Sequence, residues 1–200
     1  MQKIQKKIAR LRFFTTRSGL SLALAVALLA CKPVAEVDNP TPAAEVRPAT
    51  RCGNMGQLQT ELYGAVTAQI DWSVSDLECA GMPRPNGQGA RLRFAGTVGV
   101  DERRIAIIIA IPDLRREKTG NELSSNVTLI EEGSGRFFST LDLGNCLTDI
   151  TALDELDDSG DRYTIGGMLY CVAPLAEVNG DSSVSIPELH FSGLIDWGAS

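Results

Sequence analysis

Nine consecutive even-numbered positions, Leu58, Thr60, Leu62, Gly64, Val66, Ala68, Ile70, Trp72 and Val74, carry apolar or small side chains. The odd positions between them are mainly Gln, Glu, Thr, Asp and Ser. A period of two belongs to a β-strand, whose side chains point alternately to the two faces of a sheet. The stretch 57–74 is therefore expected as one long half-buried strand, or as two strands bent at Gly64. The same alternation recurs at 92–100, with Leu92, Phe94, Val98 and Val100 on one side, and at 162–171, with Tyr163, Ile165, Leu169 and Cys171 aligned. Residues 105–111, IAIIIAI, are apolar on both faces, rich in β-branched side chains and stopped by Pro112, which predicts a central strand covered on both sides. Residues 126–143 predict a hairpin around Gly133-Ser134-Gly135, and near the C-terminus Phe191, Ile195 and Trp197 face one way. Only 147–156, LTDITALDEL, has threefold apolar spacing and predicts a short helix. The fold expected is all-β, an antiparallel β-sandwich or barrel-like domain with at most one short helix.

The N-terminus is of another kind. Lys3, Lys6, Lys7, Arg10, Arg12 and Arg17 precede an uncharged run at 18–30, with no acidic residue among them. That is the order of a secretory signal, and the run is shorter than the ~20 apolar residues a membrane-spanning helix needs. It ends in Leu28-Leu29-Ala30-Cys31, which resembles the lipobox of bacterial lipoproteins. The resemblance implies that residues 1–30 are a signal peptide removed before Cys31. It also implies that Cys31 receives acyl chains of the palmitate type on its thiol and its new amino group. More than one chain makes such an anchor persistent. In that family an aspartate after the cysteine tends to retain the protein in the inner membrane. Lys32 stands there instead, which implies the outer membrane, with the protein facing the periplasm.

Removal of 1–30 takes away six of 19 basic residues and none of the 25 acidic ones, leaving 13 against 25 and a net charge of −12. So acidic a protein is a poor partner for nucleic acid, whose binding depends on neutralising phosphates. Residues 31–51 hold the lipidated cysteine and a proline-rich tether, long enough to hold a domain up to ~60 Å from a membrane. Residues 52–200 are expected as one globular domain. Its four cysteines, Cys52, Cys79, Cys146 and Cys171, would lie in an oxidising compartment. Four cysteines admit three pairings, of which Cys52–Cys79 with Cys146–Cys171 is the simplest. With no CxxC pair and a single histidine, His190, no structural zinc site is expected.

Three stretches bear on chemistry. Residues 177–188, EVNGDSSVSIPE, resemble the twelve-residue calcium loop of EF-hand and dockerin-like modules, with Glu177, Asn179, Asp181, Ser185 and Glu188 at ligand places. They depart from it at Glu177, where aspartate is usual, and at Ser182, where a glycine makes the turn. The alternative, and the favoured one, is a β-hairpin turned at Asn179-Gly180. A second acidic stretch carries Asp154, Glu155, Asp157, Asp158 and Asp161, a spacing with no recognisable ligand pattern. Finally, eight of the 13 basic residues after Cys31 fall between 84 and 118, whereas 11 acidic residues and only Arg162 follow Leu141. Arg91, Arg93, Arg103 and Arg104 are the candidate binding face, since guanidinium groups fork onto phosphates and carboxylates; the alternative, and the favoured one, is internal pairing with the acidic half or plain surface. The loop 82–89, MPRPNGQG, is a candidate frame for a binding edge, the alternative being a mere connection.

The sequence has no nucleophile elbow and no phosphate-cradling glycine loop, and no cofactor is expected. The function expected is that of a non-enzymatic, lipid-anchored cell-envelope lipoprotein, held to the membrane through acyl chains on Cys31 and binding an envelope polymer or a protein partner. The alternative is a periplasmic hydrolase using paired carboxylates, with or without calcium.

Overall fold

A computed structural model describes Cys52 and residues 55–199; the lipobox, Cys31 and the tether lie outside the described residues. Among the described residues twelve strands and a 3-10 turn at Leu143–Asn145 build the domain, and every ladder is antiparallel. The strands are β1 Gln57–Gly64, β2 Ala68–Ser73, β3 Glu78–Pro83, β4 Ala90–Val98, β5 Arg103–Ile111, β6 Gly120–Glu132, β7 Arg136–Ser139, β8 Cys146–Glu155, β9 Arg162–Cys171, β10 Leu175–Glu177, β11 Ser183–Ser185 and β12 Leu189–Asp196.

Two strands hold this sheet closed. The 13-residue β6 pairs with β7 through 128–131 and with β8 through 120–125. Likewise β1 pairs with β12 through 57–60 and with β11 through 63–64. The strands β6, β7, β10, β11, β1, β12, β9 and β8 thus form a ring, while β5, β4 and β3 extend from β6 and β2 pairs on β1. The inward positions of these two layers meet in one core. Phe94 of β4 lies 5.6 Å from Phe191 of β12, ring to ring, and the Trp72 indole N–H donates to the Thr97 carbonyl at 2.8 Å, joining β2 to the end of β4. Burying each such large apolar side chain is worth ~1.5–3 kcal/mol.

The alternation at 57–74 resolves into two strands, and Gly64 makes the bend. Its φ of +102° is open to glycine, and a Cβ there would stand 2.5 Å from the Ser183 carbonyl oxygen. Leu58, Leu62, Val66, Ile70 and Trp72 are buried as expected, but Val74 lies beyond the strand and is exposed. Val100 is also exposed, because β4 ends at Val98 and Gly99 turns the chain. The run 105–111 is a central strand in its pairing, flanked by β4 and β6. Its second face is less covered than expected: Ile105, Ile107, Ile109 and Ile111 point into the core, whereas Ile108 and Ala110 are half-buried on the outer surface. The hairpin at 133–135 forms as expected, between β6 and β7.

The expected helix at 147–156 is instead strand β8. Thr148 and Ile150 face inward, and a bulge between Ile150 and Ala152 then inserts one residue. The pattern shifts by one, so Leu153 becomes the next inward position, opposite Ile165. A period of two with one inserted residue imitates the helical spacing.

Both simplest disulfides are present: Cys52–Cys79, which ties the entering chain to β3, and Cys146–Cys171, directly opposed on β8 and β9. They span sequence separations of 27 and 25 residues. Replacing Cys146 and Cys171 together by alanine is expected to lower unfolding free energy by about 3 kcal/mol, measured by urea denaturation against the oxidised parent.

Candidate functional site

Alternation along the strands divides the four arginines of the candidate binding face. Arg91, Arg93 and Arg104 project from the outer surface of the β3–β6 layer, while Arg103 projects from the opposite face of β5. Arg93 and Arg104 sit in a closed box with Glu78 of β3 and Glu132 of β6. Arg104 reaches Glu78 at 2.5 Å and Glu132 at 2.7 Å; Arg93 reaches Glu132 at 2.6 Å and Glu78 at 3.7 Å. Arg103 pairs with Asp101 and Glu131, each at 3.0 Å. Three of the four are therefore committed to internal ion pairs, and only Arg91 has no carboxylate partner among the described residues. Asp101 is a sequence neighbour of Arg103, but the glutamate partners are distant, Glu132 lying 39 residues from Arg93, so no local pattern marks them.

Glu131 also receives Arg136 of β7, at 3.6 Å, and Arg136 donates to Glu177 at 2.8 Å and to Ser182 at 3.0 Å while lying over the Phe138 ring. This network settles the form of 177–188. The chain turns at Asn179, φ +64°, and returns as β11, with Val184 facing inward and Pro187 in the break before β12. It is a hairpin. Both oxygens of Glu177 are engaged, one by Arg136 and the other by the Ser182 hydroxyl. Arg136 first, then Ser182, hold the Glu177 carboxyl at about 2. Among the described residues no three His, Cys, Asp or Glu side chains converge as metal ligands.

The other end of the barrel is arranged differently. There the loop 84–89 joining β3 to β4, the loop 112–119 joining β5 to β6, the loop before β9 and Trp197 come together. Gly87, Gly89, Pro112, Asp113, Arg115 and Trp197 line a pocket of about 230 Å³. Gly89 is required in its floor: its φ is +70°, and a Cβ would meet the Ile111 carbonyl oxygen at 2.2 Å. A second hollow of about 180 Å³ continues from Asp113 and Arg115 towards Lys118 and Asn121. The loop 82–89 thus lines a hollow through Gly87, Gln88 and Gly89, whereas the contribution of Trp197, expected as strand core, was hidden by its position beyond the end of β12.

A third feature is an open groove of about 360 Å³ on the outer face of β1, β2 and the start of β12, lined by Glu61, Asp71, Glu188 and His190 among others. His190 is exposed and hydrogen-bonds Glu188 at 2.6 Å, a partner two residues away that strand alternation places on its own face.

No family model, no curated protein and no solved structure matches the chain. The functional reading therefore stands on the geometry of these sites and on the N-terminal motif.

The depressed pKa of Glu177 carries a signed consequence. Its contribution to stability is complete above the ordinary glutamate value of 4.5 and is lost as pH falls towards about 2. Glu177→Gln is expected to flatten the fall in stability between about pH 5 and pH 2, read by thermal melts of variant and parent at matched pH; an unchanged slope would refute the pairing with Arg136.

Proposed function

We propose that this chain is a lipid-anchored lipoprotein of the bacterial cell envelope, held in the outer membrane through Cys31 and facing the periplasm, whose β-domain binds an envelope polymer and catalyses no reaction. The observation that carries the reading is that all four cysteines of the domain are paired. Stable structural disulfides belong to oxidising compartments, and the lipobox ahead of the domain supplies both the export and the anchor. Binding is supported by how the cations are sorted. At one end Arg93, Arg103, Arg104 and Arg136 are locked into carboxylates. At the other, Arg115 and Lys118 border the pocketed loop end with no ion-pair partner among the described residues.

Two experiments test this. Cys31→Ser is expected to move the folded domain from the membrane to the soluble fraction with its melting temperature unchanged; a variant that stays on the membrane would remove the anchoring argument. Crosslinking in intact cells followed by purification is expected to recover envelope glycan, and a single stoichiometric protein in its place would make the chain an adaptor.

A second reading, a carboxylate-based periplasmic hydrolase, is favoured by one observation, the groove of Glu61, Asp71, Glu188 and His190. It requires that Glu188→Gln abolish hydrolysis of envelope glycan while leaving the melting temperature within a degree or two; equal hydrolysis by parent and variant would dispose of it.

A further inference from the structure

The turn at 115–118 places two like charges against each other. Arg115 and Lys118 form an isolated antiparallel bridge, so they are directly opposed across a two-residue turn. Like charges in that arrangement destabilise a strand pair, and neither has a carboxylate within ion-pair distance among the described residues. The residues between them are held from behind. Arg116 donates to Asp161 at 2.9 Å and to the Gly160 carbonyl at 3.1 Å, and its guanidinium lies 5.6 Å from the centre of the Trp197 ring. Glu117 accepts a hydrogen bond from the buried Tyr163 hydroxyl at 3.1 Å and adopts φ +62°, a conformation uncommon for a residue with a side chain. Backbone strain of this kind persists where surrounding contacts enforce it, and it concentrates at ligand sites. The turn is thus fixed at its centre, and its two flanking cations border the hollows described above.

Those two hollows share Asp113 and Arg115 and form one bent groove, whose combined size falls in the ~300–1,000 Å³ range of ligand sites. Gln88, Asp113 and Asn121 line it with amide and carboxylate groups suited to hydroxyls. Trp197 walls one end. Cations, hydroxyl-binding groups and an aromatic wall together describe a site for a sugar bearing one negative group. A densely charged polyanion fits poorly, because the protein after Cys31 carries a net charge of −12 and the loop holding Asp157, Asp158 and Asp161 stands beside the groove.

We propose that the groove between the 84–89 and 112–119 loops binds an acidic saccharide unit, its carboxylate or phosphate on Arg115 and Lys118 and its ring against Trp197. This rests on the reading of the chain as an envelope-polymer binder and names the site and the ligand class.

The test uses the full chain in detergent, labelled with 5-fluorotryptophan, which gives two signals because the sequence holds only Trp72 and Trp197. Digalacturonate and glucose 6-phosphate are titrated beside neutral digalactose and inorganic phosphate. The Trp197 signal is expected to shift saturably with the acidic sugars and not with digalactose, while Trp72, buried and bonded to Thr97, stays still. Arg115→Ala with Lys118→Ala is expected to weaken that binding at least about tenfold, equivalent to about 1.4 kcal/mol, with both fluorine signals of the free protein unmoved as a check on folding. Equal binding of inorganic phosphate would reduce the groove to a simple anion site and overturn the saccharide assignment, as would no response to any sugar at millimolar concentration. If the parent retains envelope glycan in a pull-down and the double variant retains as much, the groove assignment falls and polymer binding stands. If the parent retains none, polymer binding itself falls.

Discussion

The architecture depends on two strands that each serve two successive partners. Because β6 passes from β7 to β8, and β1 from β11 to β12, the sheet returns on itself and its main ring has no free edge. An unpaired edge is exposed to aberrant strand addition, and ring closure removes that hazard at most positions. It also forces the connections to gather at the two ends of the barrel, and this decides where a binding site can form. Buried hydroxyls serve the crossing points: Ser125 of β6 bonds Thr148 of β8 at 2.8 Å, and Thr60 of β1 bonds the Glu188 carbonyl at 2.7 Å where β11 gives way to β12.

The two ends are then built from the same residue types to opposite effect. At the β6–β7 turn and the 177–182 hairpin, arginines and glutamates satisfy one another, with Ser134 and Ser182 filling remaining acceptor positions on Glu131 and Glu177. Such a network is half-exposed and contributes modestly to stability through each pair; its larger effect is to fix the turns in position. At the 84–89 and 112–119 loops Asp161, the one carboxylate on Arg116, and Glu117, the acceptor for Tyr163, are turned to supporting the loop, which leaves Arg115 and Lys118 lining the groove. A disulfide-stapled scaffold holds this arrangement in place.

The structure shows where pattern reading succeeds and where it fails. Alternation found β1, β2, β4, β9 and β12 and most of their inward residues, because burial on one face of a sheet repeats locally in the chain. It failed at β8, where a single bulge residue turned a period of two into the spacing of a helix, and at Val74 and Val100, where the pattern ran past the point at which hydrogen bonding stopped. The resemblance of 177–188 to a calcium loop dissolved for a related reason: the ligand places carry the right atoms, yet Glu177 faces Arg136, a partner 41 residues away. The basic stretch 84–118 was recognised as a unit but could not be sorted from its order alone into paired and free cations.

By itself, the sequence determined the class of fold and most of its strands, since these depend on the side-chain period within a short stretch; for the four cysteines it offered three pairings, and the structure selected the one between neighbours. Only the tertiary structure decided which arginines are neutralised and which remain, and that Trp197 stands beside Arg115 and Gly89. Those facts depend on strand register and on loops from four parts of the chain meeting at one end, and contacts of that range are fixed by closure of the barrel, which no local run of residues encodes.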